Sequence, residues 1–326
     1  MLRPDHAGDA LDDARIVQEV LAKALARAVC GKCAAHHAIV TVFQAAVVLA
    51  SGFLLHSLIE KKSADNNLMT FSQYFRLADA MARMSLRADA TKLYLGYIWW
   101  ILEPFLYVGV FYVVFTKILV SRQPDFLPFL MTGKLMFLWF SKSVTQASNS
   151  IVAGKGLIGN INVTKTLFPL AMIQEGLYKQ VVVVFLLLLI LVVMDYPITA
   201  FWFYLIPVLL VNYLMILACG YLGATIVCIM RDFFPLISLG MIFMMFTSGI
   251  FWNIRELGSP EKTELLLAIN PLAFILDAYR QILLYQTAPD MLHLALVGVG
   301  FGAMLCAMVL IMRRASQYLA LKALTV

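Results

Sequence analysis

The stretch that decides the fold is RADATKLYLGYIWWILEPFLYVGVFYVVFTKILV, residues 87–120. It begins as a basic segment with Arg87 and Lys92 and becomes almost entirely apolar after Gly96. The apolar part, about two dozen residues, matches the roughly 30 Å hydrocarbon core of a bilayer at about 1.5 Å rise per residue. The pattern therefore predicts a membrane-spanning helix that is entered through a basic segment.

Two residues interrupt this predicted span, Glu103 and Pro104. Because a carboxylate in hydrocarbon costs at least about 2.5–3.5 kcal/mol, we expect Glu103 to face a partner, a pore or another subunit. Two roles remain open for it: a channel or gate residue, or a structural partner of a basic residue such as Arg87. Pro104 removes a backbone hydrogen bond and favours a kink in the helix.

Composition sets the class of protein. The chain is 62% hydrophobic and 13% charged, with a mean hydropathy of +0.86, which is typical of an all-α polytopic membrane protein. Its net charge of +6 comes from basic residues spread over short loops. This distribution fits a cytoplasmic membrane surface better than a nucleic-acid partner.

The first 60 residues are interpreted as an N-terminal extension. Residues 1–37 are polar and contain acids, so no cleavable signal peptide is predicted, and residues 9–29 form an amphipathic pattern. Residues 38–59 are apolar and long enough to be an extra transmembrane helix. Between them lie two thiols and two imidazoles that could bind zinc: Cys30, Cys33, His36 and His37. Their compressed spacing favours a plain turn, and no metal site is predicted.

The remaining chain divides into an interfacial segment, 61–96, and a transmembrane domain, 97–326. Residues 70–94 combine arginines with an aromatic and aliphatic face, which is typical of a helix lying in the membrane interface. Six core spans are predicted, at 97–120, 126–148, 169–194, 200–230, 233–253 and 291–312. The apolar pieces 263–269 and 272–285 are too short to span and are interpreted as two re-entrant helices on the extracytoplasmic side.

Loop charge sets the orientation. Most basic loop residues lie on the side that carries residues 60–96, 149–168, Arg231 and the C-terminal tail, which predicts that both flanks of the six-span core are cytoplasmic. The second span contains Lys134, Lys142 and Gln146. These polar residues require a protected face or an interfacial depth.

The sequence shows no nucleotide-binding motif. Gly133-Lys134 and Gly154-Lys155-Gly156 lack the flanking pattern and the hydroxyl of a phosphate-binding loop. We therefore expect that this chain is not an enzyme and that any ATP-driven work is done by another polypeptide.

Four features in order resemble one family. The segment Gly96-Tyr97-Ile98-Trp99-Trp100-Ile101-Leu102-Glu103-Pro104, after Arg87, resembles the "GYLW-x-LEP" opening of polysaccharide-export ABC permeases. Three later features also match: Gly156…Lys165…Phe168-Pro169, the turn Arg231-Asp232-Phe233, and Asn270-Pro271 followed by Tyr279-Arg280. The likeness covers about residues 70–320 and is to permeases that export capsule, O-antigen or teichoic acid on a lipid carrier.

The resemblance implies an assembly and a location. It implies a homodimer in the bacterial inner membrane with two copies of a cytoplasmic ABC ATPase beneath it, periplasmic export partners, and a lipid-linked polysaccharide as substrate. No cofactor is then bound by this chain, and ATP is bound at the partner. Residues that would couple to the ATPase are Lys155, Gly156, Lys165, Arg87, Arg231 and Asp232. The alternative for the 149–168 segment is a solvated loop that follows the distribution of positive charge.

A sugar path requires aromatic faces and polar partners. The candidate channel residues are Glu103, Tyr107, Phe111, Tyr112, Trp99, Trp100, Trp139 and Phe140. Because Trp and Tyr gather at membrane interfaces, Trp99 and Trp100 fit an interfacial belt equally well. At the extracytoplasmic turn, Asn270 and Pro271 are expected to shape the junction of the two short helices. Arg280 is expected either to pair with Asp277 at i, i+3 or to contact a phosphate.

Three other functions compete. A drug or small-lipid exporter would keep the same architecture. A membrane acyl- or glycosyltransferase would need clustered acids or a His/Asp pair, whereas His293 stands alone near its span. A proton-coupled carrier normally needs more helices or an inverted repeat, and none is evident.

Overall fold

Helices make up all regular secondary structure in the described residues, which are 71–92, 94, 96–114, 126–160, 164–256, 258 and 260–325 of the computed structural model. This confirms the predicted all-α class. The predicted helix 9–29, the predicted span 38–59 and the cysteine–histidine cluster lie outside the described residues. The rest of the chain, from Asn67 to Val326, forms one unit.

The helices follow one another with short connections. In chain order they are α1 (Phe71–Lys92), α2 (Trp99–Val113), α3 (Phe126–Ala153), α4 (Lys155–Asn160), α5 (Leu167–Val193), α6 (Leu205–Ile229), α7 (Phe233–Thr247), α8 (Pro260–Ile269), α9 (Pro271–Leu283), α10 (Met291–Arg314) and α11 (Ser316–Thr325). Short 3-10 turns precede α2 and α6, at Gly96–Ile98 and Ala200–Tyr204.

Several of these helices are able to cross a bilayer. By length and composition, α5, α10 and α6 with its preceding 3-10 turn qualify, and the number rises to five if each of two bent helix pairs counts as one span. The finding agrees with the predicted polytopic membrane protein. At 28 residues α3 is also long enough, but two lysines and several hydroxyl and amide groups make it less apolar.

The burial of α3 explains how it tolerates these polar groups. This helix packs against α2, α5, α6 and α9, and most of its residues are buried. Lys134, Ser143 and Ser148 are among them, so their polar atoms face protein rather than lipid. Polar residues in a membrane-spanning segment normally face the interior in this way.

The fifth predicted span, 233–253, is too long. Helix α7 ends at Thr247 after 15 residues, which corresponds to about 22 Å. Gly249 then adopts a φ of +67°, a backbone region that favours glycine. A Cβ at this position would also lie 2.4 Å from Cγ1 of Ile254, so the turn depends on the glycine.

The two short helices predicted at 263–269 and 272–285 are present, as α8 and α9, and they meet at an angle of 113°. The Asn270 side chain accepts hydrogen bonds from the backbone N–H groups of Leu272 and Ala273, both at 3.1 Å. Pro271 occupies the first turn, where its missing N–H has no cost. Asn270 therefore caps α9 and ends α8, as the Asn-Pro pair predicts.

A close approach between α3 and α5 gives a testable packing prediction. A Cβ added at Gly176 would lie 2.4 Å from Ser143 Oγ, whereas the next nearest atom is at 3.4 Å. We expect Gly176→Ala to lower the free energy of unfolding by about 1–3 kcal/mol, and Ser143→Ala in the same chain to restore most of it. Thermal unfolding in detergent measures both effects. Gly109→Ala, which meets nothing within 4 Å, is the matched control; equal melting temperatures for the two glycine variants would contradict the prediction.

Candidate functional site

A cavity of about 340 Å³ lies among α1, α2, α3 and α5. Its lining combines three tryptophans with charged and neutral polar side chains, which are Trp99, Trp100, Trp139, Asp89, Glu103, Lys142, Lys179, Ser143, Gln146 and Gln180. An apolar pocket with a few convergent polar groups is the usual form of a small-molecule or cofactor site.

The acid in the first span has a partner across the cavity. Lys142 Nζ lies 2.6 Å from Glu103 Oε2, and the two side chains are 41% and 29% exposed in the isolated chain. The sequence suggested Arg87 as the basic partner, but Arg87 is exposed on α1 and the partner comes from α3. This ion pair explains how the second predicted span tolerates the charged residue Lys142.

A second ionic cluster joins α1 to α5. Lys179 Nζ lies 2.6 Å from Glu175 Oε1 and 3.1 Å from Asp89 Oδ2, and it sits 5.2 Å from the ring centre of Trp100. The Glu175 side chain is only 3% exposed, so its charge requires this lysine. Sequence reasoning missed Lys179 and Asp89 as cavity residues. The signal was available, because Glu175 and Lys179 stand at i, i+4 inside a predicted span.

The structure brings together some of the predicted channel residues. Glu103, Trp99, Trp100 and Trp139 all line the cavity. Trp139 also stacks on Tyr213, with ring centres 6.4 Å apart. Its buried Nε1 has no hydrogen-bond partner among the described residues.

The other predicted channel residues lie elsewhere. Tyr107 is exposed outside the cavity, with the ammonium of the buried Lys134 5.6 Å from its ring centre. Phe140 is buried in the helical core, and Tyr112 packs against that core. Phe111 belongs to α2, but its side chain is not among those that the structure describes.

Residues predicted to couple to an ATPase are distributed over the ends of several helices. Lys155 and Gly156 are exposed on α4, and Arg231 and Asp232 are exposed between α6 and α7. Because the chain crosses through α5 and returns through α6, these two turns lie on the same side. Lys165 differs from the expectation, since its side chain is only 6% exposed and packs within the fold rather than on the predicted docking surface.

The N-terminal half of the amphipathic helix α1 is also bound to α5. The Tyr74 hydroxyl donates to Thr166 Oγ1 at 3.0 Å, and the Tyr178 hydroxyl donates to Asp79. This hydrogen bond, together with Arg83, holds the pKa of the Asp79 carboxyl below its ordinary value. A carboxylate with a lowered pKa keeps its bonds as the pH falls through the usual range for aspartate, so the attachment persists in mild acid.

On the opposite side, Arg280 has a structural role. Its side chain is 1% exposed and donates to the backbone carbonyls of Gly249 at 2.7 Å and Ile250 at 3.2 Å. Its guanidinium lies 3.6 Å from the ring centre of Phe129. A phosphate contact was one of two roles left open by the sequence; two of the guanidinium nitrogens instead bind these carbonyls, and the buried Nε has no hydrogen-bond partner among the described residues.

The predicted pair of Arg280 with Asp277 is wrong. Asp277 instead accepts a two-pronged hydrogen bond from Arg255, with the shortest N–O distance 2.8 Å, and another from Gln281 at 2.7 Å. Arg255 comes from the turn after α7, so this pair holds that turn against α9. Tertiary partners have replaced the local i, i+3 pairing.

The described residues contain no group of His, Cys, Asp and Glu that could hold a metal ion. The site is therefore a set of tryptophans, ion pairs and neutral polar groups between helices of a multi-pass membrane protein. Such an arrangement binds and orients a ligand, and it offers no evident nucleophile.

The fold defines a multi-pass membrane protein, and sequence comparison gives its family. The family model described as ABC-2 type transporter matches residues 80–284, well over half of the chain. The chain belongs to the ABC-2 type transporter family. This confirms the expected ABC permease architecture.

The individual relatives have low sequence identity to this chain. The chain is 25% identical over 220 residues to the O-antigen export system permease protein RfbA of Myxococcus xanthus, a match that covers 67% of this chain and 84% of the relative. It is 25% identical over 219 residues to the protein of the same name from Klebsiella pneumoniae, covering 65% and 82%. The polysialic acid transport protein KpsM of Escherichia coli is 26% identical over 210 residues, covering 62% and 79%.

Proposed function

We propose that this chain is the permease subunit of an ABC exporter that moves a lipid-linked polysaccharide across the bacterial inner membrane. Membership of the ABC-2 family and relatives named for O-antigen export and polysialic acid transport support the transport class. The observation that carries the glycan assignment is the tryptophan-lined cavity between α2, α3 and α5. Indole faces pack against the C–H faces of sugars, and neighbouring amides and hydroxyls bind their hydroxyl groups.

In this proposal the cavity is part of the path that the glycan follows. Trp99, Trp100 and Trp139 supply flat surfaces along which a sugar chain slides without a fixed register. The Glu103–Lys142 ion pair joins α2 to α3 across that space. Separation of the two helices would break the pair and widen the cavity, so the pair acts as a gate.

The energy comes from a separate subunit. Two copies of the chain form the path, and two ATPase subunits bind beneath them at α4 and at the turn Arg231–Asp232. Both surfaces are exposed, and α4 begins with Lys155 and Gly156. ATP is bound and hydrolysed at the partner, and no cofactor is bound by this chain.

Deleting the gene tests the transport role. We expect the deletion strain to lose one surface polysaccharide and to accumulate its lipid-linked form inside the cell, and the full chain supplied in trans to restore it. An unchanged surface polysaccharide with altered drug resistance would overturn the glycan proposal and favour a drug or small-lipid exporter, which shares this architecture.

Charge reversal tests the docking surface. Lys155→Glu is expected to reduce co-purification of an ATPase at least tenfold, because an exposed contact changes sign. Lys262→Glu is the matched control, since Lys262 is also exposed near a helix start but lies on α8, on the opposite side. The proposal fails if the wild-type chain recruits no ATPase, or if both variants lose the ATPase equally.

A further inference from the structure

The charged side chains around the cavity are already paired with one another within the chain. Among the described residues, two basic side chains line it, Lys142 and Lys179. Lys142 is bound to Glu103 at 2.6 Å, and Lys179 is bound to Glu175 at 2.6 Å and to Asp89 at 3.1 Å. Both lysines therefore already have an anionic partner within the chain, and a ligand anion would compete with these acids for them.

Two carboxylates, Asp89 and Glu103, line the cavity, and with Glu175, which binds Lys179, three acids surround the two lysines. A ligand carboxylate or phosphate would have to displace Glu103 from Lys142, and it would leave that acid without its partner between membrane helices. The excess negative charge would repel it further.

The uncharged part of the lining suits a neutral ligand. Ser143, Gln146 and Gln180 present a hydroxyl and two amides, which both donate and accept hydrogen bonds. The indole N–H of Trp139 is buried without a hydrogen-bond partner among the described residues, so it is a donor that remains to be satisfied. These groups match sugar hydroxyl and ring oxygens.

We propose that the cavity selects uncharged sugar residues, so that the repeat unit of the exported polymer carries no carboxylate, sulfate or phosphate. The inference rests on the proposed export function and concerns the repeating glycan rather than its lipid-carrier end. It separates this chain from a transporter of an acidic polymer, such as the relative named for polysialic acid.

The first test is the composition of the polymer that a deletion strain loses from its surface. We expect that polymer to pass through an anion-exchange column unretained and to contain neutral and amino sugars only. A polymer with an acidic group in every repeat would overturn this inference and leave the export function intact. If no polymer is lost, the export function itself fails, so the two failures are distinguishable.

The second test measures the charge selectivity directly. Three of the five tryptophans of the chain line the cavity, so intrinsic fluorescence of the purified full chain reports binding there. With oligosialic acid as the probe, we expect no saturable change for the wild type. Glu103→Gln frees Lys142 from its partner and is expected to raise affinity for this probe at least tenfold.

Two further variants make the fluorescence test decisive. Asp89→Asn removes a different acid from the same cavity and is expected to shift binding in the same direction, which guards against misfolding of one variant. Glu261→Gln removes an exposed acid on α8 and should leave the titration unchanged. Wild-type binding of oligosialic acid as tight as that of Glu103→Gln would contradict the proposal.

Discussion

Arg280→Met is expected to lower the free energy of unfolding by about 3–8 kcal/mol, the largest effect on stability that we predict. The arginine side chain is buried and binds two carbonyls of the turn that follows α7. Methionine is long and apolar and supplies no donor, so the carbonyls of Gly249 and Ile250 lose their partner at about 1–3 kcal/mol each. Loss of the contact with Phe129 adds about 1–2 kcal/mol.

Thermal unfolding of the purified chain measures this effect, which corresponds to a fall in melting temperature of roughly 10 °C. Lys262→Met makes the same kind of change at an exposed position and should shift the melting temperature little. Arg280→Lys keeps the charge but loses the forked geometry, so we expect an intermediate value. Equal melting temperatures for Arg280→Met and Lys262→Met would show that the turn does not depend on this arginine.

Hydropathy predicted much of the fold because the bilayer leaves few choices. Apolar runs of bilayer length produced α5 and α10 at close to the expected bounds. The junction of α8 and α9 was also predictable, since Asn270 and Pro271 form a cap and a helix start together. In these places the local signal and the final structure agree.

The same reasoning failed where an apolar sequence does not form a helix. The residues after Thr247 remain largely apolar, so hydropathy extended the fifth span to 253, whereas Gly249 turns the chain out of the helix. Composition alone also underestimates how well α3 suits a membrane-spanning position, because Lys134 is buried against other helices and Lys142 pairs with Glu103 on α2. Hydropathy registers neither the backbone conformation of a glycine nor which face of a helix packs against protein.

Partners of charged residues were predicted less well than the residues themselves. The cost of an acid in hydrocarbon identified Glu103, but Arg87, the basic residue suggested from the sequence, is not its partner. Its actual partner, Lys142, comes from another helix. Asp277 shows the same limit, since its partner Arg255 belongs to a turn rather than to the same helix. Tertiary packing, which sequence spacing does not encode, decides these pairs.

The second prediction with a large effect concerns the Glu103–Lys142 ion pair of the cavity. Glu103→Gln and Lys142→Met should each reduce export about tenfold, because either change leaves one charge in the membrane without its partner, a loss on the order of 1.4 kcal/mol. The double variant Glu103→Lys/Lys142→Glu exchanges the two side chains, so that the lysine lies on α2 and the acid on α3. It should therefore restore the pair and recover most of the export.

The measurement is the amount of surface polysaccharide in a deletion strain that carries each variant, normalised to the amount of permease in the membrane. Glu261→Gln is the control, because it removes an acid from an exposed helix outside the cavity. Full recovery by the double variant would establish that the pair closes the path through its mutual attraction. A double variant as inactive as the single ones, with normal amounts in the membrane, would instead mean that Glu103 or Lys142 acts on the glycan itself, and the gate would have to be sought elsewhere.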